Sequence, residues 1–343
     1  MRKIKTLTIA SIVIVYIVIL AGGTVRMTGS GMGCPDWPKC FGYLIPPTDR
    51  SDIQWKKNYN YKKNQIIIFN DSLIYANKDF KTVDSINREN WSNYTKHDYS
   101  KFNVYHTWIE YINRLIGAIA GLSVLLLFIN SLKFIKKKRS ITILAFLSLT
   151  GILFQAWLGK TVVDSNLLAS KITIHMVMAI LIVSVLFILL SKLNEKESNL
   201  VFNRYVSTLT LISLILLIIQ VLSGTEIRQF IDIEMLSYNY SEKSKWLINP
   251  PKSFYFHRSF SIIIFFINSL IFLKLKKMII VSKTFNIIMI LLVIQLLSGI
   301  MMYYFNFPFS TQPVHLLISS LIIGFQVYFY VLLNNNKTHG IKN

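Results

Sequence analysis

Charge is scarce in this chain, and acidic charge is the scarcer sign: 15% of residues are charged, with 16 Asp and Glu against 37 Lys and Arg. So little charge beside 53% hydrophobic residues excludes an ordinary soluble protein of this length. No small-residue cleavage site follows the first apolar run, which is longer than a signal-peptide core, so that run is expected to stay as a membrane span. An Arg- and Ser-rich organelle transit segment is also absent, which favours a bacterial inner membrane. Only two cysteines occur, Cys34 and Cys40, within GCPDWPKC. A disulfide suits them if that loop faces an oxidising compartment; two free thiols or half of a zinc site are the other readings, and the zinc reading lacks a second ligand pair nearby.

What the chain has in abundance is long apolar runs. Stretches near 7–25, 107–130, 140–159, 172–191, 205–224, 256–275, 281–302 and 314–333 each approach the roughly 20 residues that a helix needs to cross a bilayer. A net charge of +21 is compatible with nucleic acid, but its placement points to topology and gives no nucleic-acid partner. Arg2, Lys3 and Lys5 precede the first run, Lys133 and Lys136–Arg139 follow the second, Lys192, Lys196 and Arg204 follow the fourth, and Lys274, Lys276, Lys277 and Lys283 follow the sixth. By the positive-inside bias both termini are expected to be cytoplasmic.

Two unequal polar segments face the other way. The first, at about 27–105, begins with a Gly-, Pro- and Cys-containing part. It continues as an inserted polar excursion, about 48–101, that holds a short β-like run, QIIIF. The second, at about 226–254, holds the equivalent place in the second half.

A duplication organises the rest. Gln155, Gly159 and His175 recur 140 residues later as Gln295, Gly299 and His315, and Asn113-Arg114 recurs 144 residues later as His257-Arg258. GGTVR, ending the first span, is loosely matched by SGTEIR ending the fifth, which pairs Arg26 with Arg228. Each half holds an even number of spans, so both enter the membrane with one orientation and are related by an axis along its normal. The expected fold is therefore all-α and integral to the membrane, with eight transmembrane helices in two tandem four-helix bundles. Residues 1–191 form an N-terminal half that includes the long outward loop, and 192–343 form a C-terminal half.

Ionisable groups inside a membrane are costly and mark function. A lone histidine there is usually an interfacial residue bonded to a loop carbonyl, but His175, His257 and His315 occupy repeated helix starts, whereas His97 and His339 lie in polar loop or tail and are expected to be solvated. Two imidazoles facing inward from neighbouring helices can grip one heme iron, and His257 with His315 make such a pair. Asn113 and His175 are the matching positions in the first half. Arg26, Arg114, Arg228 and Arg258 sit at the same level, suited to heme propionates or else to snorkelling towards water. Glu110 lies three residues before Asn113, whereas Phe254 holds that place before His257. The carboxylate is a catalytic candidate on this asymmetry, or else a solvated helix-start acid.

The pieces GGTVRMTGSGMGCPDW (22–37), EYINRLIG (110–117), FHR (256–258) and the two Q-x3-G-x15-H runs (155–175 and 295–315) together resemble the heme A synthase family. The likeness covers nearly all the chain outside 48–101. It implies oxidation of the C8 methyl group of heme O to the formyl group of heme A, for terminal oxidases, with molecular oxygen or water as the oxygen source. It further implies a resident heme b on His257 and His315, with Arg258 and Arg228 beside it. Heme O would sit in the first half at His175, Asn113, Arg114 and Arg26, with Glu110 as the essential acid and Cys34–Cys40 as a loop disulfide. Implied partners are a heme O synthase, the assembly of a terminal oxidase and a membrane electron donor or acceptor; an oligomer is compatible. The heme sites would lie towards the outer side.

One position departs from the family's E-x-x-H-R: Asn113 stands where an axial histidine is expected, so the substrate iron would be held by His175 alone. His106, about 10 Å up the helix from Asn113, replaces it only if the helix starts later or bends. Two other classes remain. A non-catalytic b-type cytochrome would use the same histidine pair to carry electrons from a quinol to a partner. A transporter would ordinarily show broken helices at the midplane, whereas these polar positions lie at one surface.

Overall fold

Eight long helices take up the apolar runs in the computed structural model, which describes residues 1–96, 101–194, 200–280 and 282–335. His97, Lys196 and His339 lie outside the described residues. The helices are α1 (Arg2–Met27), α2 (Val104–Ser131), α3 (Arg139–Asp164), α4 (Ala169–Leu193), α5 (Arg204–Ser237), α6 (Lys252–Lys277), α7 (Lys283–Tyr304) and α8 (Thr311–Asn335). All eight are long and apolar enough to cross a membrane. Local chemistry sets several ends. Asn203 caps α5 by accepting from the Val206 amide, and Ser282 caps α7 by accepting from Phe285. Lys274, Lys276 and Lys277 close α6, where cations suit a helix C-terminus.

One boundary differs from the sequence reading. The polar segment expected over about 226–254 is helical over its first part, because α5 runs on to Ser237. Ile227, Ile231 and Met235 recur every four residues there and pack with Trp246 and Phe307, so a short apolar stripe continues the helix past the membrane-length run. Arg228 and Asp232 pair across one turn of the same extension, at 2.9 Å.

Close packing divides the chain into two compact units. The larger comprises Met1–Leu20, Ala120–Leu153 and the described residues from Met176 onward. Its core includes Leu127, Leu186, Ile271 and Phe329, all fully buried. Lipid removes the hydrophobic drive between helices, so close contact and buried polar pairs must hold them. Ser213 on α5, Asn268 on α6 and Gln326 on α8 supply such a link. The Asn268 amide donates to Ser213 Oγ at 2.8 Å, and the Gln326 amide donates to Asn268 Oδ1 at 2.7 Å and to Ser213 Oγ at 3.0 Å.

The smaller unit comprises Ala21–Ile119 and Phe154–His175. Its inserted segment is β structure: β1 (Asn60–Tyr61), β2 (Ile66–Phe69), β3 (Ser72–Ala76), β4 (Phe80–Lys81) and β5 (Trp91–Asn93), with β1 paired to β4 and a sheet ordered β2-β3-β5. The IIIF run is β2. It turns into β3 through Asn70-Asp71, both at positive φ, the conformation that a two-residue hairpin requires. Strand alternation serves two small cores. Ile67 and Ile74 pack with Tyr61 and Trp91, while Ile66, Ile68 and Leu73 pack with Cys34, Cys40 and Phe41. A segment that reads as polar on average thus folds around a minority of well-spaced apolar residues.

Candidate functional site

In the larger unit, His257 and His315 stand within the first two turns of α6 and α8, with ring centroids 6.5 Å apart and planes at 49°. An imidazole bound through nitrogen at about 2.0 Å puts its ring centre roughly 3.2 Å from a metal, so two on opposite sides of one ion stand about 6.4 Å apart. The spacing fits a single iron between them.

Both rings are held from behind. His257 Nδ1 meets the Gln220 carbonyl at 3.1 Å, and the Gln220 amide donates back to the His257 carbonyl at 2.9 Å. His315 Nδ1 meets Ser298 Oγ at 2.7 Å, while its Nε2 meets the Gln295 amide nitrogen at 2.9 Å. Gly224 and Gly299 let the helix backbones approach these rings: a Cβ would lie 3.0 Å from His257 Cε1 at the first and 3.6 Å from His315 Cε1 at the second. Gln220 Oε1 and Gln295 Oε1 are buried with no hydrogen-bond partner among the described residues. Arg258 lies over the rings of Phe254 and Tyr255, and Arg228 pairs with Asp232.

In the smaller unit the same scheme recurs with fewer bonds. The Gln155 amide donates to the His175 carbonyl at 3.0 Å, as Gln220 does to His257, and a Cβ on Gly159 would lie 3.3 Å from His175 Cε1. His175 Nδ1 and Asn113 Oδ1 are both buried with no hydrogen-bond partner among the described residues. Gly22 faces Asn113, where a Cβ would be 3.9 Å from Oδ1.

Gln220, Gly224 and Ser298 were missed by the sequence reading. The signal for the first two was present: Q-x3-G occurs at 155–159, 220–224 and 295–299, and only Gly22 is preceded instead by a valine, Val18. Ser298 carries no comparable repeat.

Glu110 is 4% exposed and is not a solvated helix-start acid. Its Oε2 accepts from the Cys34 amide at 2.8 Å and its Oε1 from Arg114 at 2.5 Å. Arg114 also donates to the carbonyls of Asp36 (2.6 Å), Lys39 (3.0 Å) and Cys34 (3.2 Å). Thr107 Oγ1 donates to the Gly33 carbonyl at 2.8 Å. A Cβ at Gly33 would fall 2.4 Å from the His106 carbonyl oxygen, so this close approach of loop to helix requires glycine. Arg114, expected beside heme propionates, is thus taken up by Glu110 and the loop.

Cys34 and Cys40 form a bonded pair, Cα atoms 4.8 Å apart, that closes the loop onto this clamp. Phe41 and Gly42, both at positive φ, make the turn from Cys40 to Tyr43. Asp36 accepts from the Gly42 amide at 2.9 Å, yet burial raises its carboxyl above the usual range, opposed by backbone amides and by Arg114. His106 gives no substitute for Asn113, since α2 starts at Val104 and runs as a single helix to Ser131.

The family described as "Cytochrome oxidase assembly protein" matches residues 5–72 and 81–327. Among curated relatives, a protein named "Heme A synthase" from Ehrlichia canis is 24% identical over 351 residues, covering 96% of this chain and 92% of the relative. One of the same name from Rickettsia prowazekii is 22% identical over 354 residues, covering 95% and 96%. A third, from Shewanella oneidensis, is 25% identical over 218 residues, which is 62% of this chain and about half, 53%, of the relative.

Proposed function

Because the chain belongs to the cytochrome oxidase assembly protein family, we propose that it is an oxidoreductase that converts heme O to heme A by oxidising the C8 methyl group to a formyl group. The observation that carries this reading is an imidazole pair at the spacing of a single iron, accompanied by the same glycine packing at His175 and, more loosely, at Asn113.

The two copies suit different tenancies. Rings fixed at Nδ1 are oriented in advance and bind metal more tightly, so His257 and His315 would hold a resident heme b, whose iron would take the place of the Gln295 amide at His315 Nε2. Heme b, when bound, supplies a one-electron couple. His175 has no such anchor and suits a heme that must arrive and leave. Arg258 and Arg26 are proposed to meet propionates. Glu110 holds the cysteine loop in place, and its carboxylate can also accept a proton as the methyl C–H bond is broken. Cys34 and Cys40 act as a disulfide that keeps that loop closed.

The same reading places the protein in a bacterial inner membrane, both termini cytoplasmic and the heme sites outward. A heme O synthase supplies it, its product goes to terminal oxidase assembly, and a membrane carrier exchanges electrons with heme b. One observation favours the electron-carrying cytochrome instead: the bonds from Glu110 to Cys34 and Arg114 give that acid a purely structural task. Co-expression with a heme O synthase, pigment extraction and mass determination separate the two. Heme A in the extract supports the enzyme; heme O and heme b without heme A support the carrier.

A further inference from the structure

Four glycines face the four duplicated positions, and three of them meet an imidazole. Those three contacts are tight, with a Cβ 3.0, 3.3 or 3.6 Å from the ring at Gly224, Gly159 and Gly299. The fourth is loose: the shorter side chain of Asn113 leaves 3.9 Å to a Cβ on Gly22. A glycine stands at this position too, although no ring faces it. Asn113 Oδ1 is buried without a partner, a costly state for an amide at membrane depth unless a small molecule satisfies it. The two charged groups nearest along α2 are engaged elsewhere, Glu110 with the Cys34 amide and Arg114 with Glu110 and the loop carbonyls.

We propose that Asn113 borders a small-ligand position at the first-half site, in the space that an axial imidazole would fill in the second half: its Oδ1 accepts a hydrogen bond from a water molecule, and its amide N–H can donate to a diatomic that replaces that water. The inference rests on the reading that His175 receives heme O. An amide is a poor ligand for heme iron, so the side of the heme facing Asn113 stays open to exchange, while the side facing His175 is held. The amide contributes a donor and an acceptor, enough to orient a diatomic or a water without displacing it.

Carbon monoxide is the probe. Purified full-length protein carrying both hemes is reduced and titrated with CO, following the visible spectrum and the infrared C–O stretch, with heme b content as the check on folding. Wild type is expected to bind CO at one of its two hemes. Asn113→His restores an axial imidazole and should weaken CO binding by roughly tenfold or more, giving two six-coordinate hemes. Asn113→Leu should still bind CO, with its C–O band shifted because the hydrogen bond is lost. A CO-silent wild type, or an identical C–O band in Asn113→Leu, overturns the proposal. Equal heme O content in wild type and His175→Ala overturns the site itself, a result distinguishable from any outcome that concerns Asn113 alone.

Discussion

The imidazole pair of α6 and α8 and the Asn113/His175 pair of α2 and α4 are built from one sequence pattern, yet differ in what stands behind the ligands. In the first, each Nδ1 has a partner, the Gln220 carbonyl or Ser298 Oγ. In the second, His175 Nδ1 and Asn113 Oδ1 have none among the described residues. Under the proposed function, the same glycine-against-ring packing would serve a fixed cofactor in one copy and an exchangeable one in the other, with the outer hydrogen bonds as the difference between them.

The sharpest way to break that comparison is to remove one imidazole from each copy. His315→Ala should abolish heme b in the purified protein, whereas His175→Ala should retain heme b and lose heme O, both read by pyridine hemochrome and mass spectrometry. Retention of heme b in His315→Ala would dissolve the distinction between the copies. Glu110→Ala comes next: heme A should fall to background while heme b stays. The variant also loses two charge-assisted bonds at roughly 1.5–3 kcal/mol each, so the cysteine loop should become more open to proteolysis. Glu110→Gln keeps an acceptor for the Cys34 amide; restored loop protection without heme A would separate anchoring from proton transfer.

Smaller effects grade the His257/His315 pair internally. Ser298→Ala removes the anchor of His315 and should lower heme b affinity by about 10–100-fold, measured by competition with apomyoglobin. Gly224→Ala should disturb heme b more than Gly299→Ala, because the added methyl lies 3.0 Å from one ring and 3.6 Å from the other; equal low-spin spectra in both would remove the packing argument. The smallest effect concerns pH. Burial raises Asp36, so the folded loop favours its protonated form, and loop stability should decline as pH rises from about 4 through the folded value. Asp36→Asn should flatten that slope in a proteolysis-versus-pH profile.

Much of this was legible from composition and spacing. Hydropathy runs are local sums, so the eight spans could be read directly, and a fixed repeat offset marks equivalent residues, so the three histidines and Asn113 stood out. The inserted segment was less readable, since its mean polarity hides the alternation of Ile66, Ile67 and Ile68 between two cores. The length of α5 was misjudged because Ile227, Ile231 and Met235 form a stripe too narrow for a hydropathy window.

By itself the chain of residues determined that the protein has eight membrane-length spans and which side chains recur at matching positions in its two halves. Only the tertiary structure decided that Glu110 bonds the amide of Cys34, 76 positions away, and that Ser298 and Gln220 stand behind the second-half imidazoles. Depth is a sum along the chain, while a hydrogen bond between helices depends on how each helix is rotated about its axis against its neighbour. That rotation is set by packing, and no single segment encodes it.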